Sequence, residues 1–123
     1  MHFLTKGKKK NRQFCSLGSV KANIGHLDAS AGIASFIKCL LILKEKKQPL
    51  LTGYEKPNPF INFKNTPFYV NKTSKSWDNY ENERTCLVAS LGAGGTNAHV
   101  VLSEYSNSVK EKKTPKKIIT LFL

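Results

Sequence analysis

From about Leu27 to Glu45 the chain is apolar on nearly every face of a helix, and this stretch sets what it can fold into. Ala29, Ile33, Phe36, Ile37, Leu40 and Leu41 recur at three- and four-residue steps. Ala31, Ala34, Ile42 and Leu43 widen that stripe almost to the full circumference. A helix of this kind is stable only when it is buried on most sides. Lys44, Lys46 and Lys47 place positive charge at its C-terminal end, where the macrodipole favours it, and Pro49 closes it. Two strand candidates, Cys86 to Leu91 and Ala98 to Leu102, make the same demand, because continuously apolar strands need layers on both faces. The rest of the 123 residues is too polar to supply those layers. The chain therefore reads as a piece of a larger buried α/β architecture.

Other elements fit around these. Residues 1–12 are a lysine-rich lead, and Phe14 to Val20 is a short strand candidate. Ala22 to Gly25 is a turn, Leu50 to Asn65 a loop with Gly53, Pro57 and Pro59, and Pro67 to Asn71 another strand candidate. Trp77 to Arg84 reads as a surface connection. "GAGGTN", Gly92 to Asn97, is a tight loop between the two apolar strands, and the tail from Ser106 is poor in apolar residues until Ile118.

Composition excludes several classes. No apolar stretch approaches the roughly 20 residues of a membrane span, and the run from Ile33 to Leu43 is interrupted by Ser35 and Lys38. No signal-peptide pattern opens the chain. Cys15, Cys39 and Cys86 are odd in number, widely spaced and apart from the histidines, so neither a zinc site nor a disulfide framework is expected. A reducing cytoplasm is the expected compartment. The net charge of +12 suggests nucleic acid, but its distribution argues otherwise. Five basic residues cluster within Lys6 to Arg12 and five within Lys110 to Lys117. The body between residues 13 and 109 holds ten basic against seven acidic side chains. Stacking aromatics are not interleaved with either cluster, so solvated ends explain the charge better than a nucleic-acid face.

Two short constellations carry the chemistry. "SVKANIGH", Ser19 to His26, sets a lysine and a histidine around an Asn-Ile-Gly turn ahead of the helix. Orphan N–H groups and the positive dipole end at a helix start favour a neutral imidazole at His26, which still donates one N–H to a developing oxyanion. The same position suits a histidine that only caps the helix. Lys21 reads either as an orienting cation or as one more solvated lysine. Asp28 reads either as a complement to the dipole or as an ion-pair partner of Lys21. In "GAGGTNAH", Gly92, Gly94 and Gly95 permit positive φ and close backbone approach, while Thr96 and Asn97 can lock the loop locally. It is neither a dinucleotide fingerprint nor a P-loop. His99 and the three cysteines read as structural.

Three ordered blocks then carry a family resemblance. "GSVKANIGHLDASAGIASFIKCLLILK" closely resembles the lysine–histidine segment of β-ketoacyl synthase (ketosynthase) domains of modular polyketide synthases. "KPNPFINFKNTPFYV" and "ASLGAGGTNAHVVLSEY" resemble the two segments that follow it there, in the same order. The G-A-G-G loop is similar to that of ketosynthases whose acyltransferase is a separate protein. The resemblance covers residues 13–105, with 1–12 as a basic lead and 106–123 as the start of a basic linker.

The resemblance implies the C-terminal part of a thiolase-like αβαβα sandwich, incomplete in this chain. It implies decarboxylative Claisen condensation of carrier-bound acyl and malonyl thioesters, with the phosphopantetheine arm of an acyl carrier protein as the substrate carrier and no cofactor bound directly. His26 corresponds to the family's second catalytic histidine, which hydrogen-bonds the thioester oxygen, and Lys21 to its active-site lysine. Leu91, Gly92, Ala93, Gly94, Gly95, Thr96 and Asn97 correspond to the loop at the acyl pocket. The family's nucleophilic cysteine and its H-G-T-G-T histidine belong to an N-terminal portion absent from this sequence, so the chain alone is expected to be inactive. The family is commonly homodimeric, and the remainder of the ketosynthase domain is an expected partner.

Three departures stand out: Leu91 where the family usually has phenylalanine, Asp28 for the commoner glutamate, and "LLTGY" for a more typical P-x-L-H stretch. Two other readings remain: a non-catalytic half that pairs with a separate N-terminal half, and a basic nucleic-acid binder.

Overall fold

The computed structural model describes residues 12–78 and 83–105, together with the backbone of 119–122. Apart from Arg12, both basic clusters lie outside the described residues.

In chain order the elements are β1 (Cys15–Gly18), α1 (Lys21–Ile24), a 3-10 turn (Asp28–Ser30), α2 (Ala31–Glu45), β2 (Lys47–Gln48), a second 3-10 turn (Phe63–Asn65), β3 (Phe68–Val70), β4 (Lys75–Ser76), β5 (Thr85–Leu91), β6 (Asn97–Ser103) and β7 (Ile119–Phe122). Five strands form one sheet in the order β3-β1-β7-β5-β6, and β2 pairs with β4 in a separate ribbon. Within the sheet β3, β1, β7 and β5 run parallel, and only β6 is antiparallel. The C-terminal ends of β1 and β5 therefore open at the same edge, where ligands of open α/β sheets characteristically sit. The sequence reading placed no strand at β7; its apolar Ile-Thr-Leu-Phe run joins the centre of the sheet.

The β5–β6 hairpin is tied at both ends. At its open end Arg84 Nη1 donates to Glu104 Oε2 at 2.7 Å and the Arg84 backbone N–H donates to Glu104 Oε1 at 3.0 Å. Arg84 Nε also reaches the Trp77 carbonyl at 2.7 Å. Burial pushes the Glu104 carboxyl up, but the two Arg84 hydrogen bonds and the charges of Arg84 and Lys46 outweigh it and hold the group below the usual carboxylate range. At the closed end the Gly92 N–H donates to the Thr96 carbonyl at 2.9 Å. A Cβ on Gly92 would stand 2.8 Å from that carbonyl oxygen, so only glycine fits there.

Helix α2 packs on β5 with Ser35, Cys39, Ile42 and Leu43, residues at four-, three- and one-residue steps on one face. Cys39, Ile42 and Leu43 join Cys86, Val88 and Trp77 in the core, with Leu102 against it. The sequence reading put Ile33, Ile37, Leu40 and Leu41 in the buried stripe. They lie on the opposite face and stay 57%, 51%, 45% and 53% exposed. One sheet covers only one side of a helix, and among the described residues no second layer reaches the other. The helix also starts later than expected. Residues 28–30 form a 3-10 turn, so His26 stands five residues before α2 instead of at or just before its start, and Asp28 lies in that turn and not in the first turn of α2. Among the described residues, no helix is long and apolar enough to cross a membrane.

Candidate functional site

Where β1 ends, the chain turns through α1. The Asn23 and Ile24 N–H groups donate to the Val20 carbonyl at 2.9 and 3.3 Å, and the Gly25 N–H donates to the Lys21 carbonyl at 2.9 Å. Ser19 Oγ accepts the Lys21 N–H at 3.2 Å. Gly25, at φ 76°, then redirects the chain to His26. The Asp28 N–H donates to His26 Nδ1 at 3.0 Å. A nitrogen that accepts a hydrogen bond carries no proton, so in the neutral ring the proton sits on Nε2. The local turn thus selects the tautomer that leaves Nε2–H as a donor.

Lys21, His26 and Asp28 border one cavity of about 90 Å³, with Ala31, Gly32 and Ser35 from α2 and Ala89, Ser90 and Leu91 from the end of β5. Helix and strand approach closely here, since a Cβ on Gly32 would lie 3.0 Å from Ser90 Oγ. Lys21 is half-buried, whereas His26, Asp28 and Leu91 are exposed. Of the two readings of Asp28, the ion pair with Lys21 does not form. The two residues face the cavity from separate turns, and Asp28, at φ 47°, spends its N–H on the His26 ring. Among the loop residues singled out in the sequence, Leu91 borders the cavity, while Gly92 to Thr96 form the hairpin turn beyond it and Asn97 opens β6 opposite Leu91. Ser35 and Ser90 escaped the sequence reading as cavity residues; the break that Ser35 makes in the apolar run was the available signal.

Elsewhere a wider groove of about 540 Å³ is bordered by Gln13, Gln48, Tyr69, Lys75 and Trp77 among others, and none of the sequence-selected site residues lines it. Cys15, Cys39 and Cys86 are buried thiols outside any disulfide. A hydrogen bond with Cys39, then burial and the neighbouring sulfurs, pushes the Cys86 thiol far up, which makes it a poor nucleophile. Among the described residues, no cluster of His, Cys, Asp and Glu could hold a metal ion.

Residues 3–55 match the family described as beta-ketoacyl synthase, C-terminal domain, and residues 57–123 match the ketoacyl-synthetase C-terminal extension. The chain belongs to the β-ketoacyl synthase family. It is 40% identical over 118 residues to the polyketide synthase PksN of Bacillus subtilis, a match that takes in 91% of this chain and 2% of that protein. It is 38% identical over 110 residues to the polyketide synthase PksL of the same organism, covering 89% of this chain and 2% of that protein. Among solved structures, the ketosynthase from module 6 of the bacillaene synthase of Bacillus subtilis superposes with a TM-score of 0.76 at 41% identity, over 80% of this chain and 18% of that one. Ketosynthase twelve of the bacillaene polyketide synthase of Bacillus amyloliquefaciens gives a TM-score of 0.75 at 40% identity, over 80% of this chain and 18% of that one. The chain thus corresponds to the C-terminal part of a polyketide ketosynthase domain, with the thiolase-like α/β fold, and spans about a fifth of such a domain.

Proposed function

We propose that this chain supplies the oxyanion-stabilising side of a polyketide condensing site, whose attacking thiolate comes from polypeptide outside it. The observation that carries this reading is the Asp28 N–H bond to His26 Nδ1, which leaves Nε2–H as donor at a cavity shared with Lys21 and the end of β5. In the reaction, carbon dioxide leaves a malonyl thioester and the electron pair passes to the thioester oxygen. His26 Nε2–H steadies that charge. The resulting enolate carbon attacks the adjacent acyl group held on the cysteine that the rest of the domain supplies, and the cysteine leaves as thiolate. Lys21 raises the local positive potential beside the cavity. Asp28 acts through its backbone by fixing the ring. Leu91, the Gly92–Thr96 turn and Asn97 at the start of β6 form a wall of the acyl pocket.

The carrier is the phosphopantetheine arm of an acyl carrier protein. The working assembly is a cytoplasmic homodimer with the remainder of the ketosynthase, and the malonyl unit is delivered by a separate acyltransferase. No cysteine of this chain suits the nucleophile's task, because all three are buried.

The test is a graft. Residues 13–105 replace the corresponding part of the module 6 bacillaene ketosynthase, and condensation from acyl- and malonyl-carrier thioesters is followed by mass spectrometry. Product from the graft, with none from the 123-residue chain alone, is expected. A folded graft that acylates its cysteine yet never decarboxylates malonyl thioester would refute the assignment. A second reading, a half that binds a separately made N-terminal half, draws support from the exposed apolar face of α2. Co-purification of the two halves from one host tests it.

A further inference from the structure

We propose that Lys38, on α2, is the positioning residue that fixes the turn carrying Lys21 and His26. This rests on the condensing-site reading above. Helix α1 has only four residues, far too few to hold its own shape in water. Its orientation must come from ties to other elements. The Lys38 ammonium supplies two, donating to the Ser19 carbonyl at 3.0 Å and to Asn23 Oδ1 at 2.9 Å. Asn23 Nδ2 passes the connection on to Thr52 Oγ1 at 2.9 Å.

The two acceptors bracket Lys21. Ser19 lies just past the end of β1, while Asn23 lies inside α1. A single cation therefore grips the turn on both sides of the lysine that borders the cavity. The carbonyls of Val20 and Lys21 are taken up within the turn, and Lys38 reaches the carbonyl just before them. Burial lowers the Lys38 pKa, with a smaller opposing effect from Cys39. A partly buried ammonium is held by whatever acceptors it has, which makes the clamp specific for a cation. Lys38 itself does not border the cavity, so it acts on the reaction through the turn.

Hydrogen exchange on the full 123-residue chain and kinetics on the graft test this together. In Lys38→Met the amides of Asn23, Ile24 and Gly25 should exchange about tenfold faster, while those of the β5–β6 hairpin keep their rates. In the graft, kcat should fall about ten- to a hundredfold with KM nearly unchanged, the effect of misplaced catalytic groups. Lys38→Arg, which keeps a cation in reach, should recover most of both losses. Asn23→Ala should show a smaller loss, and the double variant should be no worse than Lys38→Met. Turn amides that exchange at the parental rate, or a uniform acceleration across the whole chain, would overturn the proposal. If Lys38→Met fails to fold, Asn23→Ala decides, because it removes one tie at an exposed position. An inactive parental graft combined with fast turn exchange in the variants would sink the condensing-site reading and leave the clamp standing.

Discussion

On the proposed reading the two nitrogens of His26 have separable jobs, and two isosteric substitutions separate them. Asn places its amide oxygen near the position of Nδ1, so His26→Asn keeps an acceptor for the Asp28 N–H and removes the Nε2 donor. Gln places its amide nitrogen near Nε2, so His26→Gln keeps a donor and loses the acceptor. The Asp28–His26 bond is exposed, and its loss costs about 0.5–1 kcal/mol. Losing an oxyanion donor in a closed site costs about 3–4 kcal/mol, or roughly a hundred- to a thousandfold in kcat. The donor effect exceeds the local one by at least about 2 kcal/mol, enough to order the two variants clearly. In the graft, His26→Asn should decarboxylate malonyl thioester a hundred- to a thousandfold more slowly, with melting unchanged. His26→Gln should keep its rate within about tenfold, with melting lowered by a few degrees at most. The opposite ranking, with Asn active and Gln dead, would show that His26 serves the turn and not the reaction.

Three further outcomes follow from the packing. Gly92→Ala sets a Cβ 2.8 Å from the Thr96 carbonyl oxygen, so it should cost about 1–3 kcal/mol in urea unfolding; an unchanged midpoint would show that the hairpin gives way easily. The Glu104 carboxyl is held below its unfolded value, so the stability it lends is complete above that value and is lost as pH falls through the folded one. Glu104→Gln should therefore cost about 1–2 kcal/mol near neutrality and flatten the fall in stability between pH 6 and 3; equal slopes for parent and variant would refute this. Ile37→Glu with Leu41→Glu changes two half-exposed residues, so the isolated chain should keep its unfolding free energy within about 0.5 kcal/mol. The same pair should abolish co-purification with an N-terminal half.

The sheet and its hairpin were legible because β5 and β6 are long, apolar and separated by a glycine turn, and each extends only one residue or so beyond its sequence limits. The resemblance brought out Lys21 and His26 as residues, but not their geometry. No pattern in the sequence announces that Asp28 takes a left-handed φ and turns its N–H to the ring, since a backbone bond leaves no mark on residue choice. The face of α2 was misassigned for a different reason. Its two faces carry similar apolar weight, so periodicity could not say which would meet the sheet. The smaller residues Ser35 and Cys39 decided it by letting the helix lie close to β5. Strand β7 was missed because a four-residue stretch, three of its residues apolar, after a long lysine-rich segment gives no period to read.

The outer face of α2 and the ring of His26 are both left uncovered among the described residues. A hydrogen bond to a developing oxyanion gains its strength where water is excluded, and His26 is exposed in this chain. Its cavity, at about 90 Å³, is well below the roughly 300 Å³ at which ligand pockets begin. Leu91, which borders the cavity, is 65% exposed, and Ile24 and Leu27, on either side of Gly25 and His26 in the sequence, are 54% and 40% exposed. A layer laid over these residues would bury apolar surface, enclose the cavity and remove water from Nε2 in one step. If His26 serves the proposed condensation, packing and catalysis make the same demand at this edge of the sheet. A partner that covers α2 but leaves His26 wet would stabilise the chain without restoring decarboxylation. A partner that dries the ring should do both.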